Sequence, residues 1–306
     1  MNRFKIFLGL TFIILAAIIG AGSTPFSKFA LREISPLSFT LFRFAIASIF
    51  IIPWLFFQKA RLKFSEIRQL VLISALSTAN TMLSIFGTER TTAISVQTLY
   101  TAVPLVVAVF AWWILKDKLT IKKIAGLLIG FIGVMILILQ PIIEGHSVFA
   151  GDLTGNLIIA VAIISFALYV VLSKSLHKHY SPFLLMAVYI FTTLFAQILI
   201  LPFFGQYVNP FLISSGTWLA ILYTSVMGTV GYYLVYQYAI KDAGPVAAST
   251  ILYIQPAVTA IWAFFLLGEH LTLWLVIGGL ISLIGVGVVS REKSSVSSVE
   301  KVPIIE

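Results

Sequence analysis

Polar side chains recur at helical spacing inside otherwise apolar stretches of this chain. Ser77, Asn80, Thr81 and Ser84 stand at i, i+3, i+4 and i+7, so a helix presents all four on one face. Gln97, Tyr100 and Thr101 follow in the next stretch, and Tyr232, Tyr233, Tyr236, Tyr253 and Gln255 bring phenols and an amide into the second half. These groups donate and accept hydrogen bonds, which makes them suited to binding a small polar solute. Asn80, Tyr100 and Tyr232 fall near the centres of their stretches, where an amide or phenol needs a partner. Gln97, Ser84, Tyr236 and Tyr253 join them as candidate binding residues. The competing role is structural: serines and threonines that glue helices together, and tyrosines in an interfacial belt.

Arg43 is the most costly residue to place: an arginine at the centre of a membrane helix costs roughly 2.5–3.5 kcal/mol, and somewhat less one or two turns from the outer surface, where Arg43 falls. Two roles are open to it, as a cap on backbone carbonyls or as a counter-ion for a substrate carboxylate. Pro104 and Pro256 interrupt two apolar stretches. A helical proline lacks its N–H and clashes with the carbonyl four residues back, so the C=O groups of Tyr100 and Leu252 are expected to lose their partners. Both positions are candidate hinges.

Other chemistry is absent. No Asp or Glu lies in the middle of an apolar stretch, so a buried carboxylate relay for protons is missing. His146, His177, His179 and His270 sit near the ends of stretches, and His177 and His179 diverge at i, i+2. Nothing resembles a phosphate-binding Walker loop, and no ring of charge marks an ion filter. With no cysteine, thiolate metal sites and disulfides are excluded. An enzyme is not indicated, and neither a cofactor nor a metal is implied.

The elements that must position these residues are membrane helices. Of the 306 residues 60% are hydrophobic and only 10% charged, too little polar surface for a water-soluble fold of this size. Ten apolar stretches, at 6–31, 37–57, 69–88, 93–115, 121–143, 153–173, 183–204, 216–239, 245–268 and 271–290, each approach the ~20 residues that span hydrocarbon. With the N-terminus inside, 16 of the 20 basic residues fall on the cytoplasmic side, and only Lys28, Arg32 and Arg90 near the outer ends. This bias places both termini in the cytoplasm of a cell membrane, with lipid rather than nucleic acid as the surrounding partner.

The chain is also written twice. Residues 93–136 laid on 245–288 give 14 identities in 44 positions, Pro104 falling on Pro256. Residues 9–37 align on 155–183 at an offset of 146, with Ser27-Lys28 on Ser173-Lys174 and Ser35-Pro36 on Ser181-Pro182. Because the first apolar segment has an internal twin, it reads as part of the fold and not as a cleaved signal. Five helices per copy is an odd number, so the copies insert with opposite orientation: an all-α membrane protein of two inverted five-helix repeats, 1–145 and 146–290, followed by a disordered cytoplasmic tail, 291–306.

Ser-Pro opening helices 2 and 7, Arg43-Phe44 in helix 2, the mid-helix prolines, Gly268-Glu269 before helix 10 and the glycine ladders Gly126/Gly130/Gly133 and Gly278/Gly285/Gly287 together resemble the EamA family of the drug/metabolite transporter superfamily. The resemblance covers residues 5–290. Helix 1 departs from it in having no tryptophan before Gly20-Ala21-Gly22-Ser23, and the first-half twin of Gly268-Glu269 is Lys116-Asp117. It implies a secondary transporter exporting a small organic metabolite, an amino acid or related compound or an amphipathic toxic compound, by alternating access. An exchanger of phosphorylated metabolites and a non-transporting membrane interaction protein are the alternatives; oligomeric state is not legible.

The charge bias generates a topological prediction. Tags at residues 1 and 306 should both be shielded from an impermeant probe outside intact cells, whereas tags at His146 and Gly205 should be reached. External labelling of the C-terminus would contradict the ten-helix count.

Overall fold

The computed structural model describes residues 17–55, 63–116, 120–145, 151–204 and 208–291. The described residues form ten helices: α1 (Ser23–Ala30, with a helical turn over 17–21 ahead of it), α2 (Pro36–Leu55), α3 (Phe64–Arg90), α4 (Ala93–Leu115), α5 (Ile121–Ile143), α6 (Leu153–Leu176), α7 (Pro182–Phe204), α8 (Ser215–Asp242), α9 (245–267) and α10 (Leu273–Arg291). Seven of these, α2 to α8, are long and apolar enough to cross a membrane, and α9 and α10 contain shorter apolar helices. The expected tail beyond residue 291, the start of α1 and the boundary between 145 and 146 lie at or outside the edges of the described residues.

The packing obeys a pseudo-two-fold. Where α3 packs on α6 and α7, its twin α8 packs on their twins α1 and α2; helices α2, α4 and α5 each meet their own twins α7, α9 and α10. The equivalence extends to single atoms. Lys28 Nζ donates to the carbonyls of Thr88 (2.8 Å) and Glu89 (2.7 Å) at the end of α3, and Lys174 Nζ donates to those of Ile240 (3.3 Å) and Lys241 (2.7 Å) at the end of α8. Each lysine satisfies orphan carbonyls at the negative end of a helix within its own repeat. Ser35 and Ser181 likewise accept from the N–H three residues on, with Pro36 and Pro182 at the first helical position, where a missing N–H costs nothing. Lys116 and Gly268, the twin residues that end α4 and α9, both adopt left-handed backbone, at φ 57° and 70°.

One seam is made of glycine. A methyl group on Gly285 of α10 would lie 2.2 Å from the backbone nitrogen of Gly130 and 2.5 Å from the carbonyl of Gly126, so α5 and α10 can approach this closely only with glycines facing each other. At two prolines the carbonyl four residues back is satisfied and not left open. Pro141 in α5 cannot donate to the carbonyl of Leu137, and the buried Asn156 of α6 supplies the missing donor at 3.1 Å. The expected unpartnered carbonyl of Tyr100 is also corrected: Tyr100–Ala102 tightens into a 3-10 turn, and the N–H of Val103 donates to the Tyr100 carbonyl. α9 carries the corresponding 3-10 turn at Thr250–Tyr253. Both helices are thus broken ahead of their prolines, at overlapping positions of the two repeats.

Loops 31–35, 91–92 and 268–272 lie on one face of the bundle, hereafter the Glu269 face; residues 177–181 lie on the opposite, His177 face.

Candidate solute site

A cavity of about 110 Å³ lies between the repeats, somewhat smaller than the roughly 150 Å³ that accommodates benzene. Six sequence candidates meet in its wall: Arg43 of α2, Asn80 and Ser84 of α3, Gln97 and Tyr100 of α4, and Tyr232 of α8. Their mutual geometry is set by hydrogen bonds. Tyr100 donates to Asn80 Oδ1 at 2.7 Å, joining α4 to α3. Thr24 of α1 donates to Gln97 Oε1 at 3.0 Å, and Gln97 Nε2 donates to Gln255 Oε1, so a hydrogen-bonded string crosses from one broken helix to the other. Arg43 is 8% exposed, and its Nε donates to Thr229 Oγ1 at 2.7 Å. Thr229 sits in a π-helical stretch of α8, Thr224–Gly231, where its own hydroxyl donates to the Thr224 carbonyl at 2.9 Å. The widened turn holds the hydroxyl oxygen toward Arg43 as an acceptor.

Tyr236 and Tyr253 do not reach the wall. Tyr236 is buried beneath it, stacked on Tyr232 (5.7 Å between centroids) and Phe166 (5.5 Å). Tyr253 packs beside Leu105, Ala108, Val286 and Val289 between α4 and α10. Pro104 and Pro256 lie just after the 3-10 turns and outside the wall.

The wall residues that the sequence candidates missed explain where the cavity lies. Gly20, Ser23, Thr24 and Ser27 of α1 line it, and Ser27 and Thr88 carry it to within about a turn of the helix ends on the Glu269 face. Under the pseudo-two-fold, Gly20 becomes Phe166, Ser23 becomes Tyr169, Asn80 becomes Tyr232, Thr81 becomes Tyr233 and Ser84 becomes Tyr236. Small polar residues therefore leave room on one side of the midplane, and their aromatic twins fill the other. Tyr189, the twin of Arg43, belongs to the same plug: its ring stacks on Tyr233 at 4.4 Å and its hydroxyl bonds Thr81 at 2.7 Å. Gly20 is needed for the fit, since a methyl group there would lie 2.5 Å from the Tyr232 ring. The repeat alignment held this signal, as a systematic size difference between twins.

Toward the His177 face the plug continues into a polar string. Gln237, fully buried, donates to the hydroxyl of Tyr169, and its Oε1 lies 2.9 Å from His177 Nε2. Burial lowers the His177 pKa to about 4, with Lys174 and Lys241 also opposing protonation and Gln237 and Asp242 favouring it. On the opposite face two carboxylates cap helices of the other repeat. Glu269 accepts from the N–H groups of Ala93 (2.9 Å) and Ile94 (3.1 Å) at the start of α4, and burial raises its pKa against the pull of those bonds. Glu33 accepts from the Ser214 N–H (2.7 Å), the Ser214 hydroxyl (2.6 Å) and the Thr217 hydroxyl at the start of α8, which holds its carboxyl below the ordinary range. The two carboxylates anchor the helices that present Tyr100 and Tyr232 to the cavity.

Comparison with known proteins agrees with this architecture. The profile of the EamA-like transporter family matches residues 7–139 and again 153–291, one match per repeat. The chain is 30% identical to an uncharacterized transporter of Archaeoglobus fulgidus over 278 residues, covering 89% of this chain and 93% of that one. It is 27% identical over 288 residues to the uncharacterized transporter YyaM of Bacillus subtilis, covering 92% and 90%. A crystal structure superposes with a TM-score of 0.65 at 16% identity, covering 91% of this chain and 95% of that one, a likeness of fold.

His177 makes the fold pH-sensitive in a stated direction. Its pKa is lower in the folded chain than in the unfolded one, so the unfolded state binds the extra proton and stability is lost as pH falls from about 6.5 through about 4. Melting temperature measured across this window in detergent should fall less steeply for His177→Asn than for the parent chain; identical slopes would contradict the buried neutral imidazole.

Proposed function

As the chain belongs to the EamA-like transporter family, we propose that it is a secondary transporter that exports a small organic metabolite, an amino acid or related compound or an amphipathic toxic compound, through the cavity between its repeats. The observation that carries this reading is the cavity itself: lined mostly by polar side chains, set between the repeats, flanked by two broken helices, reaching toward one face and closed toward the other by aromatic twins. Alternating access then consists of rocking the repeats, 1–145 and 146–290, about the breaks before Pro104 and Pro256, parting the Glu269 and Glu33 contacts on one face or the tyrosine plug on the other. The basic residues favour the orientation. Lys63, Arg68, Lys116, Lys122, Lys178 and Lys241 lie on the His177 face, which we place in the cytoplasm of the cell membrane together with both termini.

An exchanger of phosphorylated metabolites is less well supported, because a phosphate dianion calls for several cations. Of the two cations near the site among the described residues, Lys28 is engaged by the Thr88 and Glu89 carbonyls, leaving Arg43.

Flux into proteoliposomes tests the site. Asn80→Ala, Tyr100→Ala and Tyr232→Ala should each weaken transport about fivefold or more, and more than they lower protein yield, the consequence of losing a hydrogen bond worth ~1 kcal/mol. Normal transport by all three would place the solute path elsewhere. Absence of flux for every metabolite tried with the parent chain would favour the non-transporting alternative.

A further inference from the structure

Resting on the transport reading, we infer that the transported solute carries a single carboxylate, which pairs with the two terminal nitrogens of Arg43. A guanidinium has five N–H donors in a planar fork. Among the described residues that of Arg43 makes one hydrogen bond, from Nε to Thr229, and no carboxylate stands against it. The side chain nevertheless lines the cavity, with Gly228 and Ser23 beside it. A buried cation without a counter-charge is costly, by an amount that a well-placed anion recovers through two parallel charge-assisted bonds. The role of carbonyl cap has no support here, since the one bonded partner is a hydroxyl.

The rest of the wall narrows the class of solute. Among the described residues no acidic one lines the cavity, so a purely cationic solute finds no counter-charge there and is repelled by Arg43. The Asn80 carbonyl oxygen and the Gln97 and Gln255 carbonyl oxygens are already engaged within the wall, by Tyr100, by Thr24 and by Gln97. Among the described residues that line the cavity Arg43 is the one cation, and its single charge matches one negative charge, a carboxylate, whose planar pair of oxygens fits the two terminal nitrogens. The apolar remainder of the solute would lie against Phe166, Leu252 and Ile85, and a cavity of about 110 Å³ sets it at a few carbons. Thr229 fixes the guanidinium plane through Nε and is a positioning residue.

The test begins without choosing a ligand. Cells expressing the parent chain, an Arg43→Gln variant and an Arg43→Lys variant are compared with cells lacking the chain by untargeted mass spectrometry of the medium. The solutes whose release depends on the parent chain should carry one carboxylate, Arg43→Gln should release them at least tenfold more slowly, and Arg43→Lys should retain part of the flux. A second arm uses only the parent chain in proteoliposomes: the primary amide of each identified solute, a neutral isostere, should compete at least tenfold less well than the solute itself. This arm decides the matter if Arg43→Gln fails to fold, as judged by yield and melting temperature. Neutral or cationic solutes, full activity of a folded Arg43→Gln, or equal competition by the amide would overturn the inference while leaving transport intact. If no solute depends on the chain, the transport reading fails and this inference with it.

Discussion

Two copies of one five-helix unit related by a two-fold axis enclose equal spaces on both sides of the midplane unless twin residues differ in size. That difference is the constraint on which this structure depends. In α1 and α3 the positions facing the axis are Gly20, Ser23, Asn80, Thr81 and Ser84, while their twins in α6 and α8 are Phe166, Tyr169, Tyr232, Tyr233 and Tyr236. Five substitutions of small for aromatic turn a symmetric seam into a cavity on one side and a packed plug on the other. Aromatic rings bury large areas and stack with defined geometry, so the plug is a firm closure, not a loose filling. The backbone scaffold stays symmetric, as the paired lysine caps, serine caps and left-handed helix ends demonstrate.

Inside hydrocarbon each polar group that creates the cavity must be held by another, which turns a list of polar residues into a connected site. The amide string from Thr24 through Gln97 to Gln255 ties the two broken helices together, and the Asn80–Tyr100 pair ties α3 to α4. The carboxylates that a midplane proton relay would need are instead at one rim, where Glu269 and Glu33 each cap a helix of the opposite repeat. Such contacts cross the interface between the repeats, whereas the lysine caps join helices within one repeat.

Much of this was legible in the sequence. Hydropathy and the internal repeat gave ten helices in two copies, and polar spacing in α3 singled out Asn80 and Ser84. Helical spacing alone could not show depth or rotation: Tyr236 shares a stripe with Tyr232, yet it lies one turn further from the cavity and packs beneath it. Ser23 looks like an ordinary helix-packing residue until it is set against Tyr169, and Ser27, whose twin Ser173 is also a serine, offers no such contrast. Thr229 needed the π-helical turn, which no local pattern announces, to face Arg43. The carbonyl of Tyr100 was expected to be open, but tightening the backbone to a 3-10 turn ahead of Pro104 closes it at lower cost than leaving it bare.

The absence of native cysteine makes the central claim directly measurable. Ser27 and Ser173 are symmetry twins of the same residue type, both buried by packing, but only Ser27 lines the cavity. Single cysteines are placed at each position, and their reaction rates with a small charged thiol reagent are measured in the solute-free protein. The account predicts that the cysteine at 27 reacts from the Glu269 face while the one at 173, behind the tyrosine plug, resists reagent from the His177 face. Equal rates at the two positions, or faster reaction at 173, would contradict the claim that the size of twin side chains decides where the cavity lies.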